Sequence, residues 1–121
     1  MTPIIYIIED DHSVRVAFER LMISAGLEAI TFASAEDFLA SECKYKAGCL
    51  ITDIKMKGLS GFELHIKLKG MGNDIPVIYI TGYDTPESRD QAKSYGASGY
   101  LCKPIDDQAL LDAIKWAVNK P

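Results

Sequence analysis

The chain has 121 residues, 48% of them apolar and 25% charged, proportions that suit one soluble globular domain built on one core. Its formal net charge of −4 gives no global field for nucleic acid, and no apolar run approaches the roughly 20 residues needed to cross a bilayer. The N-terminus lacks the basic start and small-residue cleavage site of a secretory signal, so the expectation is a cytoplasmic protein with no membrane contact and no direct nucleic-acid binding.

In chain order, Pro3–Ile8 ("PIIYII") is a continuous apolar run of strand length. Apolar residues then recur at Val14, Ala17, Phe18, Leu21, Met22 and Ala25, a helical stripe that Gly26 is placed to end. Leu27–Phe32 alternates as a strand does. Ser34–Asp37 ("SAED") resembles a capping box opening a short helix through Leu39. Ala47–Asp53 ("AGCLITD") is the third strand. Ser60–Glu63 ("SGFE") is a second capping box, and its helix is expected to bury Phe62, Leu64, Ile66 and Leu68 in part. After the turn "NDIP", Pro76–Ile80 is the fourth strand. Thr85–Glu87 ("TPE") places a cap residue, then proline, then an acid at a helix start. That helix should run to about Tyr95, where Gly96 stops it. Ser98–Cys102 is the fifth strand. A last helix carries Leu110, Leu111, Ile114, Ala117 and Val118 on its inner side, and the residues beyond Val118 read as a fraying end or the start of a linker.

Five strands and five helices in strict alternation predict an α/β domain. Strands one, three and four are apolar throughout, as strands covered on both faces are. Right-handed crossovers then give a single doubly wound, five-stranded parallel sheet, for which 2-1-3-4-5 is a common order. The three cysteines, Cys43, Cys49 and Cys102, form no CxxC. They read as free thiols, with Cys49 and Cys102 as small buried hydrophobes. His12 and His65 have no metal-ligand spacing.

In such a sheet, ligands bind beyond the carboxyl ends of the strands. Strand one ends in "EDD" (Glu9–Asp11), strand three in Asp53, strand four in Thr81–Gly82, and strand five in Lys103–Pro104. The topology gathers Glu9, Asp10, Asp53, Thr81 and Lys103 on one rim. Two carboxylates ~5 Å apart repel by about 3 kcal/mol at an effective dielectric near 20. One lysine offsets one charge, and a divalent cation would offset two more. All-oxygen ligation suits Mg²⁺, so the set reads as a Mg²⁺ site beside one nucleophilic carboxylate. Each residue alone has a plainer reading: "EDD" as helix capping, Thr81 as a turn residue, Lys103 as a solvated charge.

With these segments in view, the chain resembles the receiver domain of two-component response regulators over its whole length, residues 1–121. "IIEDD" resembles the family's acidic pair, "ITDIKMKGLSG" its phosphoacceptor loop, "YITGY" its Thr/Ser switch segment, and "GYLCKP" its aromatic-x-x-Lys-Pro segment. The resemblance implies a flavodoxin-like (βα)5 fold in which Asp53 accepts a phosphoryl group from a sensor histidine kinase or phosphotransfer protein. It implies Mg²⁺, or Mn²⁺ in its place, held by Asp10, Asp53 and the Lys55 backbone carbonyl, with Glu9 acting largely through water. Thr81 and Lys103 would bind the phosphoryl group, Tyr100 would move in step with Thr81, and the Lys103–Pro104 bond would be cis. The switched surface would be the fourth helix, fifth strand and fifth helix, with homodimerisation through the fourth helix–fifth strand face. Such a domain assists its own phosphorylation and dephosphorylation and is not a multiple-turnover enzyme.

Three positions depart from the common pattern. Glu9 stands where Asp is commoner, which should alter Mg²⁺ affinity. Lys57 replaces a usual proline, which should loosen the loop. Lys55 and Tyr83 flank the expected path of a hydrolytic water and should shield the acyl phosphate. The wording of "CLITDIKMKGLSG" is most like receivers of regulators with a helix-turn-helix output domain, so the chain is expected to be the N-terminal part of a transcriptional regulator or a free-standing receiver. Other readings are a degenerate docking module, a flavin-binding protein of the same architecture, or an aspartyl phosphatase. The acidic "EDDHS" loop argues against the flavin reading, and Lys55 stands where the phosphatase would want its second acid.

Overall fold

A computed structural model describes residues 3–45 and 47–119. The runs of Ile, Val and Tyr form β1 (Ile4–Ile8), β3 (Gly48–Asp53) and β4 (Val77–Thr81), and the less apolar runs form β2 (Glu28–Phe32) and β5 (Gly99–Cys102). Between and after them lie α1 (His12–Ser24), α2 (Ala35–Ala40), α3 (Gly61–Gly70), α4 (Pro86–Ser94) and α5 (Asp107–Asn119). A 3₁₀ turn at Glu42–Tyr45 follows α2, an addition to the expected alternation. All strand pairs are parallel and the order is β2-β1-β3-β4-β5. Among the described residues, no helix is long and apolar enough to cross a membrane.

The apolar strands separate into two faces because successive side chains point to opposite sides of a sheet. Tyr6, Ile8, Leu50, Val77 and Tyr79 pack with Phe38 of α2, Phe62, Leu64 and Leu68 of α3, and Ala92 of α4. Ile5, Ile7, Cys49, Ile51, Ile78 and Ile80 pack with Phe18 and Met22 of α1 and with Leu110, Ile114 and Ala117 of α5. Helices therefore cover both sides, and the sheet's interior runs are buried throughout.

Local signals set the helix starts. Ser34, Ser60 and Thr85 each accept a hydrogen bond from the amide three residues on, and Ser60–Glu63 is a complete capping box. Two burial expectations need correction. Ile66 is 49% exposed, because it lies two residues beyond Leu64 and so turns away from the 61-64-65-68 stripe that faces the sheet. His65 takes the inner place. Cys102 is exposed, since it ends the edge strand β5, whereas Cys49 is buried and its thiol is pushed up to about 12 by burial.

His65 Nδ1 lies 2.5 Å from the Tyr79 hydroxyl in a buried hydrogen bond. Burial, aided by nearby Lys69, lowers His65 to about 4, so it is neutral in the folded protein at pH 7. A histidine depressed in the native state binds fewer protons folded than unfolded. Stability is therefore full above the unfolded pKa of about 6.5 and declines as pH falls toward 4. We predict that about 2 kcal/mol is lost between pH 7.5 and 5 through this residue alone. Urea unfolding at both pH values, compared with His65→Gln, measures it; an equal decline in the variant would assign the loss elsewhere.

Candidate functional site

Register brings the strand ends to one line. Ile8 pairs with Thr52, Asp53 with Ile80, and Thr81 with Cys102. The next residues after β1 and β5 are Glu9 and Lys103, which places four strand ends, and their polar side chains, on the carboxyl edge. The Lys103–Pro104 peptide bond is cis, as the resemblance implies.

Asp53 is 6% exposed. Its Oδ2 accepts from Lys103 Nζ at 2.6 Å and its Oδ1 from the Lys55 amide at 3.2 Å. Glu9 is buried. Its Oε1 accepts from Lys103 Nζ at 2.7 Å and its Oε2 from the Asp11 amide at 3.1 Å. Burial raises Glu9 above the usual carboxylate range, and the bonds from Lys103 and Asp11 pull against that rise. Burial alone would lower Lys103, but its hydrogen bonds to Asp53 and Glu9 outweigh it and hold the ammonium above its ordinary pKa. Lys103 thus bridges two buried acids, which is how such charges are tolerated away from water.

The three acids of "EDD" divide their work. Asp11 is the N-cap of α1: its carboxylate accepts from the Val14 amide at 3.1 Å and the Ser13 hydroxyl at 2.7 Å. Those bonds lower it, Ser13 most. The plain capping reading therefore holds for Asp11, while Glu9 and Asp10 turn to the rim. Among the described residues, Glu9, Asp10 and Asp53 offer carboxylate oxygens that all lie within 4.8 Å of one another. The donor set is all oxygen, and Asp10 is exposed, so it suits a hard divalent cation that keeps part of its water.

The loop from Ile54 to Ser60 is tied by its amides. Lys55 N–H donates to Asp53, and Lys57 N–H donates to Asp10 Oδ2 at 3.4 Å. The second bond uses a donor that a proline would lack, so the residue expected only to loosen the loop also gives it a contact. Gly61 opens α3 directly beneath Asp53, where a Cβ would overlap the Asp53 carbonyl oxygen.

Thr81 is buried. Its hydroxyl donates to the Tyr83 carbonyl at 3.2 Å and accepts from the Tyr83 amide at 3.0 Å. Tyr100 is half-buried, and its hydroxyl donates to Asp84 Oδ1 at 3.1 Å. Asp84 is also gripped by two Arg89 nitrogens, one of them Nε at 2.7 Å. Arg89 chiefly, with Tyr100 and Cys102, holds Asp84 down at about 2. Tyr83 is 69% exposed, and Lys55 Nζ stands 4.5 Å from its ring centroid, a cation–π contact. Glu9, Asp10, Asp53 and Lys103 are thus brought together. Thr81 and Tyr100 point to other partners, and Lys55 and Tyr83 meet each other. Asp84 and Arg89 do not stand out in the sequence. They join a loop, a helix and a strand, and only their acid–base character five residues apart hints at the pairing.

Comparison with known proteins identifies the family and the fold. The family model for the response regulator receiver domain matches residues 5–115. The chain is 37% identical to Nodulation protein W of Bradyrhizobium diazoefficiens, covering 97% of this chain and 52% of that protein. It is 34% identical to Transcriptional regulatory protein TdiR of Thauera aromatica, covering 94% of this chain and 50% of that protein. The solved structure of FixJ-N superposes with a TM-score of 0.91 at 30% identity, covering 100% of this chain and 97% of that one. The chain spans about half the length of these curated relatives. Its fold is the flavodoxin-like fold of that structure, and the chain belongs to the response regulator receiver domain family.

Proposed function

We propose that Asp53 is the phosphoacceptor of a phosphorelay and takes its phosphoryl group from a sensor histidine kinase or phosphotransfer protein. The observation that carries this reading is the contact of a buried strand-end carboxylate with Lys103, 2.6 Å away, beside two further acids. Asp53 would attack phosphorus in line as the bond to the donor's histidine nitrogen breaks and that imidazole leaves, and Lys103 would accompany the equatorial charge that builds there. Asp10, Asp53 and the Lys55 carbonyl would hold Mg²⁺ or Mn²⁺. A bound divalent cation supplies charge neutralisation to the transferring group. Glu9, with both oxygens already engaged, would hold Lys103 and reach the metal only through water. Incubation with acetyl phosphate and Mg²⁺, read by intact mass, tests the reading.

The same proposal assigns the switch. Thr81 would exchange its Tyr83 backbone bonds for the phosphoryl oxygens, and Tyr100 would leave Asp84 for the inward position. The surface of α4, β5 and α5 would then engage a partner, a second copy through the α4–β5 face, or an output domain. The chain covers half of TdiR, a transcriptional regulatory protein, which supports a receiver joined to an output domain; it would form the first part of a DNA-binding regulator in the cytoplasm. This chain itself would not touch nucleic acid or membrane. It would assist its own phosphorylation and dephosphorylation without turning over external substrates.

Lys55 and Tyr83 support a slow dephosphorylation. Their cation–π contact would hold a long cation and a ring across the approach of water to Asp53. An exposed contact of this kind is worth about 0.5–1 kcal/mol, so Lys55→Ala and Tyr83→Ala should each speed phosphate loss by about two- to fivefold. The double variant should fall short of the product of the two, since each single change already breaks the pair. Decay of the phosphorylated mass over time measures it, and unchanged lifetimes in both single variants would refute the shielding.

A further inference from the structure

The loop between β3 and α3 contains no proline, so hydrogen bonds set its shape. Three alternate amides in it meet three carboxylates from different parts of the fold. Lys55 N–H donates to Asp53 and Lys57 N–H to Asp10, both in the acid cluster. The third, Leu59 N–H, donates at 3.0 Å to Oε2 of Glu36, a residue 23 positions away in the first turn of α2.

Gly58 fits the same contact. Its φ of +78° lies in the left-handed region, which favours glycine. A Cβ at that position would also overlap the Glu36 carboxylate, with Glu36 Cδ only 2.9 Å away. The carboxylate therefore rests on bare backbone at Gly58 while accepting from Leu59. Glu36 is exposed and stands outside the acid cluster, and its hydrogen bond to Leu59 reaches the site through the loop.

We propose that Glu36 is a positioning residue for the metal-binding loop. By holding the loop's far end at Gly58–Leu59, it keeps the Lys57 amide against Asp10 and Lys55 beside Asp53, so that the oxygens meant for the cation are placed before it arrives. The inference rests on the reading of Asp10, Asp53 and the Lys55 carbonyl as a Mg²⁺ site. It deepens that reading by naming a residue of α2 that shapes the site without touching the ion.

The test uses the full chain with Glu36→Ala, Glu36→Gln and, as a charge control on the same helix turn, Asp37→Ala. Mg²⁺ affinity is measured by calorimetric titration, and amide hydrogen exchange is followed in metal-free protein. Glu36→Ala should weaken Mg²⁺ binding by about three- to tenfold and speed exchange at both Leu59 and Lys57. Glu36→Gln keeps an acceptor oxygen and should stay within about twofold of wild type. Asp37→Ala should leave the affinity unchanged, and all three variants should keep the wild-type circular dichroism. Unchanged affinity in Glu36→Ala would overturn the proposal even if Leu59 exchanged faster. So would an equal loss in Asp37→Ala, which would show a charge effect, or unchanged exchange at Lys57. Failure of the wild type itself to bind Mg²⁺ would instead remove the metal-site reading, and the inference with it.

Discussion

Wild-type protein treated with acetyl phosphate and Mg²⁺ should gain the mass of one phosphoryl group, and Asp53→Asn should gain none. The loss should be complete, because an amide nitrogen does not attack phosphorus at neutral pH and no neighbouring acid occupies the same place. Glu9 is fully buried with both oxygens bonded. Asp10 is exposed and tied to the Lys57 amide, while the Lys103 ammonium bonds Glu9 and Asp53. The fold should survive the change, since the amide of Asp53→Asn keeps an oxygen for the Lys55 N–H and Lys103 keeps Glu9. A phosphoryl adduct that persists in Asp53→Asn would overturn the assignment of the acceptor. No adduct on the wild type would leave a docking module as the better description.

The second large effect concerns stability. Lys103→Met should cost about 3 kcal/mol in metal-free buffer at pH 7, the scale of breaking a buried ion pair by removing one partner. The side chains of Glu9 and Asp53 are 1% and 8% exposed, and Lys103 bonds both. Without it, two nearby carboxylates remain out of water with no cation between them. Methionine fills similar space, so the loss reports charge rather than a cavity. Millimolar Mg²⁺ should recover part of the deficit in the variant, because a divalent ion at the acid cluster replaces the missing charge. Denaturant unfolding of both proteins with and without Mg²⁺ measures this. A variant as stable as wild type in metal-free buffer would show that the bridge between the two acids contributes little.

Most of the fold is legible in the sequence because the signals are local. Continuous apolar runs mark strands covered on both faces, and Ser60 with Glu63 marks a helix start without reference to anything distant. Parallel topology then carries the rim: once strands one, three, four and five end on one edge, Glu9, Asp53, Thr81 and Lys103 must lie near each other. Contacts between elements with no shared period are not legible. Glu36 reads as part of a capping turn, yet its carboxylate reaches Leu59. Asp84 reads as a loop acid, yet it collects Arg89 and Tyr100. The placement of His65 inside and Ile66 outside escapes the sequence for a different reason. Hydropathy ranks the pair one way and helical phase the other, and phase prevails because Tyr79 offers the imidazole a buried hydrogen bond.

The segment from Thr81 to Asp84 has a mechanical consequence. One end is pinned by the Thr81 hydroxyl to the Tyr83 backbone, and the other by Asp84 to β5 and α4. The three steps from Thr81 to Asp84 span only about 10 Å even when fully extended, so the stretch is short. A Thr81 hydroxyl that swung toward Asp53 would let go of Tyr83, and the released chain would begin one residue from the anchor that keeps Tyr100 outward. A pull on the Thr81 end would therefore reach the contacts of Asp84 with Arg89 and Tyr100 through only a few peptide units.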